Sequence, residues 1–189
     1  VRLLWNKKAL STVVTTLIIL VVSVLLATVV TFYAINVTTT RVQEESLHLT
    51  KFHVWYNPTD EWSEAAFVII NTGGKDVVID KITVRGQECP WTNVYYSKTS
   101  GPITSDLKPT STKPSGDSIS ITIDGQPRTF KNASYALSGN DLTLMSGQTL
   151  IIYIVNPDSI SVNDIGVTVG LTVFTSNAQY YKEANVEST

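Results

Sequence analysis

The sequence is short of the residues from which most enzyme sites are built. One cysteine, Cys89, stands alone, so no intrachain disulfide framework and no CxxC zinc or redox site can form. Two histidines, His48 and His53, leave little room for histidine-based metal or acid–base chemistry. They lie five residues apart with no cysteine partners, which reads as a structural pair rather than as ligands. Charged residues make up 16% of the chain, against about 25% in an average protein. With 43% hydrophobic residues, this excludes an intrinsically disordered chain. A formal net charge of −2 weighs against nucleic acid as a partner. No G-x-S-x-G, Walker or Rossmann pattern occurs, and Asn71-Thr72-Gly73-Gly74 falls in an expected hairpin rather than before a helix. Asp60, Glu61 and Glu64 read as a solvated acidic turn. No nucleophile, base and orienter can be grouped from these residues, so the expectation is a protein that is not an enzyme and needs no cofactor or metal.

The most informative absence is local. No charge occurs from Ala9 to Thr40, a run of 32 residues. No proline precedes Pro58 and no glycine precedes Gly73, so nothing there breaks a helix. The first 35 residues carry +3 through Arg2, Lys7 and Lys8, and the rest carries −5. Residues 10–35 would span roughly 39 Å at about 1.5 Å per residue, enough to cross a bilayer. Leu17-Ile18-Ile19-Leu20-Val21-Val22 is rich in β-branched residues, yet in lipid an isolated strand leaves its backbone unpaired and a helix is favoured. The basic tip predicts a cytoplasmic N-terminus and an acidic module outside. The apolar run exceeds the 7–15 residues usual in a cleaved secretory signal, and Phe32-Tyr33-Ala34 is a poor cleavage site.

Thr12, Thr16, Ser23, Ala27, Thr31 and Ala34 recur at helical spacing and form a stripe of small residues. Such stripes let apolar helices pack closely. Equally, Thr and Ser are tolerated in membrane helices without any such role, and both readings stay open. The helical pattern is expected to continue to between Glu45 and Thr50, with Arg41 and Glu45 as an i, i+4 pair.

Beyond residue 51 the periodicity changes to that of strands. Residues 52–56, 65–70, 77–79, 82–84, 93–97, 118–123, 150–155 and 167–174 read as strands, with a last one around Tyr180 and Tyr181. Turns are expected at 71–76, at Asp124-Gly125 and at Asn156-Pro157-Asp158. Seven to nine short strands over about 140 residues suggest a two-sheet sandwich of immunoglobulin type, without the Cys…Trp…Cys pattern of antibody domains. The fold class is therefore α+β, a long N-terminal hydrophobic helix followed by an immunoglobulin-like β-sandwich. Residues 1–9 form a basic leader, 10–50 the helix, and 51–189 the outer domain. Residues 99–116, with Pro102, Pro109 and Pro114 among many Ser and Thr, read as a long surface loop, an exposed insertion rather than a display region.

Two sequons, Asn36-Val37-Thr38 and Asn132-Ala133-Ser134, can accept N-glycans if the module is exported. Asn132, in an expected loop, is the better candidate. Cys89, beside Pro90 and Trp91, reads as a buried small hydrophobe rather than an intersubunit bridge.

The stretch Lys7-Lys8-Ala9-Leu10-Ser11-Thr12-Val13-Val14-Thr15-Thr16-Leu17-Ile18 resembles the processing region of archaeal type IV pilins. In that family a short basic leader ends in a small residue, a prepilin peptidase cuts there, and a long apolar helix follows. The resemblance implies that Lys7 and Lys8 are the recognition residues, Ala9 precedes the cut and Leu10 is the mature N-terminus. Val14 stands where the bacterial branch carries Glu. Phe67-Val68-Ile69-Ile70-Asn71-Thr72-Gly73, then Ile79-Asp80-Lys81-Ile82-Thr83-Val84-Arg85-Gly86-Gln87, is similar to a hairpin of those pilins, and residues 173–180 to their last hairpin. What the resemblance implies is an adhesive extracellular filament built from copies of this chain. Its partners are the prepilin peptidase and the pilus assembly machinery, with the cytoplasmic membrane as an intermediate site. Two alternatives stand beside it: a subunit of the archaeal flagellum, and a solitary membrane-anchored binding or accessory domain that never polymerises.

Overall fold

The computed structural model describes residues 7–42, 44–137, 141–157 and 160–189. The chain divides into two compact units, residues 1–43 and residues 44–189.

The first unit holds one helix, α1 (Lys7–Val42), 36 residues long. Its stretch Ser11–Thr40 has the length and composition of a membrane anchor or signal sequence. The helix stops at Val42, short of the expected end between Glu45 and Thr50. The cause is tertiary. The Glu45 carboxylate accepts hydrogen bonds from Thr175 Oγ1 at 2.5 Å and Asn177 Nδ2 at 3.0 Å, and the Ser46 carbonyl accepts from the Thr72 and Gly73 N–H groups. These partners fix residues 45 and 46 to the β unit, so Glu45 belongs to that unit and not to the helix; the Arg41 side chain of the expected i, i+4 pair lies outside the described residues.

Besides two single-turn 3-10 helices (Trp91–Asn93 and Val162–Asp164), the second unit contains eleven strands and one short α-helix among its described residues. In chain order these are β1 (Leu47–Asn57), β2 (Trp62–Asn71), β3 (Val77–Val84), β4 (Gln87–Glu88), β5 (Val94–Thr99), β6 (Ser118–Ile123), β7 (Gln126–Asn132), α2 (Ala133–Leu137), β8 (Leu142–Leu144), β9 (Thr149–Val155), β10 (Thr168–Thr175) and β11 (Gln179–Ser188). They form one hydrogen-bonded ladder in the order β4-β3-β10-β11-β1-β2-β9-β5-β7-β6, with β8 on β3. All pairs are antiparallel except β1 with β11, where Val54, Trp55 and Tyr56 oppose Val186, Glu187 and Ser188 in parallel. The expected strands at 77–79 and 82–84 are one, β3, while β4, β7, β8 and α2 are additional.

β2 and β9 are buried almost throughout. Their two faces enter two separate apolar clusters. Ala65, Phe67 and Ile69 of β2 join Ile79, Ile82, Leu171 and Val173 of β3 and β10 in the first. Ala66 and Val68 join Trp55, Tyr153, Phe130 and Leu107 in the second. Alternation of side chains across the strand makes this possible. In β1 the inward residues are Leu47 and Leu49, then Phe52 and Val54. The three-residue step is a bulge, marked by a register shift between Thr50 and His53 and by Lys51 at φ 51°. It turns His53 and Trp55 toward the second cluster.

Candidate functional site

Two surfaces carry the chemistry of this chain, and each is built locally. The first is α1. Every side chain from Ser11 to Thr40 is exposed within its unit, including Leu17, Ile18, Leu25, Leu26 and Phe32 at 55–69%. Seven hydroxyls along it bond back to the helix's own backbone. The hydroxyls of Thr16, Ser23 and Thr31 donate to the carbonyls of Val13, Ile19 and Ala27 at 2.7–2.9 Å. Those of Thr15, Thr28, Thr39 and Thr40 do the same. These seven are thus satisfied within the helix itself, which lowers the cost of presenting them to an apolar medium. At 100° per residue, Thr12, Thr16, Ser23, Ala27, Thr31 and Ala34 fall within an arc of about 100°. Back-bonding does not set this stripe apart, because hydroxyls off the stripe bond in the same way. Lys7, Lys8, Ala9 and Leu10 are in the helix by backbone, and their side chains lie outside the described residues, as do residues 1–6.

The second surface is the face of β9, β5, β7 and β6 beneath residues 100–117. This segment has no regular structure, as expected, but it is not a free insertion. Leu107 and Pro114 are buried under it. Lys51 Nζ donates to the carbonyls of Thr104 and Ser105, Tyr153 Oη to Lys108 at 3.1 Å, and Tyr95 Oη to Gly116 at 3.0 Å. Asp124 gathers Thr104 and Ser105 through their N–H groups and the Thr104 hydroxyl. His53 Nε2 lies 2.9 Å from Asp106 Oδ1, and its ring stacks on Trp55 at 5.2 Å. Desolvation pushes the Asp106 carboxyl up, yet the His53 contact and the Leu107 N–H bring it below its ordinary value.

The strongest clasp is Glu64. It does not sit in an acidic turn with Asp60 and Glu61. Those two are exposed, with Asp60 held by Asn57, whereas Glu64 is 2% exposed in β2. Strand alternation puts it on the loop-covered face with Trp62, Ala66 and Val68. Its carboxylate accepts the Thr110 N–H at 2.8 Å and the Thr110 hydroxyl at 3.0 Å. Burial pushes its carboxyl up to about 7, more than those two hydrogen bonds lower it. Burial, then the Glu64 charge, raises the Tyr153 phenol as well.

Asn132 is not in a loop. It closes β7, is 2% exposed, donates to the Thr92 carbonyl at 2.7 Å and accepts the Ser134 N–H at the start of α2. A glycan would take one of the two hydrogens on its Nδ2, at a position only 2% exposed. Asn36 is exposed on α1. Cys89 is a buried thiol of the first apolar cluster, and His48 is exposed on β1.

The Asn71-Thr72-Gly73 turn fastens the start of the β unit. Asn71 is buried, donates to the carbonyls of Lys75 and Leu144, and accepts the Gly73 N–H. A Cβ at Gly73 would lie 2.5 Å from the Glu44 carbonyl oxygen, so only glycine fits against the incoming chain. No protein-family model matches the chain. None of the curated proteins matches it either.

Proposed function

We propose that this chain is a structural subunit of an extracellular type IV pilus-like filament of the archaeal kind, serving adhesion. In this reading α1 anchors the chain in the membrane before assembly and lies in the filament core afterwards. The β unit, an immunoglobulin-like sandwich, forms the wet outer wall. The observation that carries the reading is α1 itself, whose 30-residue stretch Ser11–Thr40 has no buried position. Soluble monomers rarely expose apolar patches above a few hundred Å². An apolar helix released from lipid needs another apolar medium, and a bundle of identical helices supplies one. Head-to-tail contacts that do not close generate a helical polymer. The sandwich reading is supported by the first apolar cluster, which draws on β1, β2 and β9 and on β3 and β10. In this role the protein is structural, not catalytic, and Asn36 is the better-exposed site for a glycan.

The test is filament assembly in cells, read from material sheared off and pelleted. Unsubstituted chain is expected in the pellet with an N-terminal peptide beginning at Leu10. Val21→Asp, a charge at mid-helix, is expected to abolish pelleting. Normal filaments from that variant would sink the core assignment. Absence from the pellet, with the chain uncut in the membrane fraction, would instead identify a solitary anchored domain.

A further inference from the structure

The two ends of the strand ladder are guarded very differently. At one end, on the free side of β3, stand two short strands, β4 with two exposed residues including Glu88 and the three-residue β8. A short, charged edge is a usual defence against unwanted strand pairing. At the other end stands β6, the six residues Ser118-Ile119-Ser120-Ile121-Thr122-Ile123. It holds no charge, no proline and no bulge, and its register with β7 runs unbroken from Ser118 opposite Lys131 to Ile123 opposite Gln126.

The hairpin fixes which backbone groups of β6 are unclaimed. Asp124 and Gly125 have φ of 54° and 72°, the two-residue turn that closes a β-hairpin. At the far end the Asn132 N–H donates to the Asp117 carbonyl at 2.9 Å. Hydrogen-bonded pairs alternate along an antiparallel ladder. The odd-numbered residues of β6 therefore bond to β7, and Ser118, Ser120 and Thr122 turn their N–H and C=O groups outward. No backbone hydrogen bond reaches them from the neighbouring loop among the described residues. A groove of about 630 Å³ lies alongside, between β6 and residues 105–115.

We propose that this edge is a docking strand for a second copy of itself, pairing antiparallel about a two-fold axis at Ile121. The sequence selects both occupant and register. With Ile121 opposite Ile121 of the second copy, Ile119 meets Ile123 and Ser120 meets Thr122. Isoleucines then line one face and hydroxyls the other, and matched cross-strand pairs are what stabilise a sheet. Asp117 meets Gly125 and Asp124 meets Ser118, so no like charges oppose. Shifting the axis to Ser120 puts Asp117 against Ile123. Shifting it to Thr122 puts Ile119 against Gly125. In the favoured register Ser120 and Thr122 form the hydrogen-bonded pairs, using the outward groups. Such an isologous contact is self-complementary and closes on two copies. It stands whether or not α1 drives a filament.

The register makes a sharp test in the full-length protein, in membranes under mild oxidation. Directly opposed Cα atoms lie about 4.5–5.5 Å apart, within disulfide reach, whereas diagonal neighbours at about 7–8 Å are not. Ile121→Cys is expected to give disulfide-linked dimers, with Ser120→Cys at least tenfold less efficient. Adding Ser120→Lys and Thr122→Lys to Ile121→Cys, which sets lysine against lysine on exposed positions, is expected to abolish the dimer. Equal crosslinking at 120 and 121, or dimers that survive the lysines, would overturn the proposal. A second measurement avoids any loss of folding in the cysteine variant. The lysine pair in the otherwise unsubstituted chain should lower the proportion of sedimenting dimer at least tenfold, and an unchanged proportion would also overturn it. Val21→Asp separates the two readings. If it removes filaments while the Ile121→Cys dimer persists, both hold. If filaments persist with the dimer, only the core assignment fails.

Discussion

The helix α1 and the paired strands β2 and β9 have one thing in common: long apolar runs with no polar face. Nothing in the pattern of either leaves a side for water. Their fates differ because of what their own units supply. β2 and β9 receive two covers, β3 and β10 on one face and residues 100–117 on the other, so Phe67 and Tyr153 are fully buried. Within its own unit, Ser11–Thr40 of α1 has no buried residue. An apolar element buried on both sides is a core when its covers lie in the same unit. Without covers it is a demand for lipid or for other copies.

The widest way to break that contrast is Val21→Asp. A charge at the centre of a spanning helix costs about 2.5–3.5 kcal/mol on insertion scales, and assembly is expected to fail while the melting of the β unit is unchanged. Phe67→Ala should do the reverse. Phe67 has no exposed surface and packs edge-on against Phe52 at 6.2 Å. Its truncation is expected to cost about 3–5 kcal/mol, visible as a large drop in Tm with membrane insertion intact.

Glu64 sharpens the contrast inside the β unit. Its carboxyl is raised from 4.5 to about 7 on folding, so between these values the folded chain binds the proton more tightly. Stability is then highest below about 4.5 and falls as pH rises toward 7, by up to about 3 kcal/mol from this group alone. Thermal melts at pH 5 and pH 8 should differ accordingly, and Glu64→Gln, which keeps an acceptor for Thr110 without the charge, should flatten the difference. Gly73→Ala comes next. Its Cβ would collide with the Glu44 backbone, and a cost of about 1–3 kcal/mol is expected, measured by denaturant unfolding. Asp106→Asn is the smallest. This carboxylate is 64% exposed beside His53, and exposed pairs contribute about 0–1 kcal/mol, so the melting temperature should barely move.

The elements that read directly from sequence are those whose pattern is decided within a few neighbours. The uncharged run gives α1, the unbroken apolar runs give β2 and β9, and the Ile alternation before Asp124-Gly125 gives β6 and its turn. β7 escaped because Gln126-Pro127-Arg128-Thr129-Phe130-Lys131-Asn132 buries only Phe130 and Asn132, too few to mark a period. The end of α1 was set by Thr175 and Asn177, about 130 residues away, and no local helix signal reports that. Glu64 looked like part of a turn because Asp60 and Glu61 precede it. Its partner Thr110 lies 46 residues on, although a carboxylate inside the run from Trp62 to Ile70 was itself a sign of burial. Asn132 likewise carries no local sign of its burial, since its partner Thr92 lies 40 residues before it.

The parallel pairing of β1 with β11 has a mechanical meaning. Strand β1 is the first of the β unit and β11 the last, and they run in the same direction side by side. A pull on the segment before Leu47, resisted at the far end of β11, slides the two strands along each other. The ladder is then loaded in shear, with its hydrogen bonds strained together rather than opened one after another. The Glu45 contacts to Thr175 and Asn177 brace the point where the tension enters. A domain wired in this way resists extension best along the line joining its tether to its last strand.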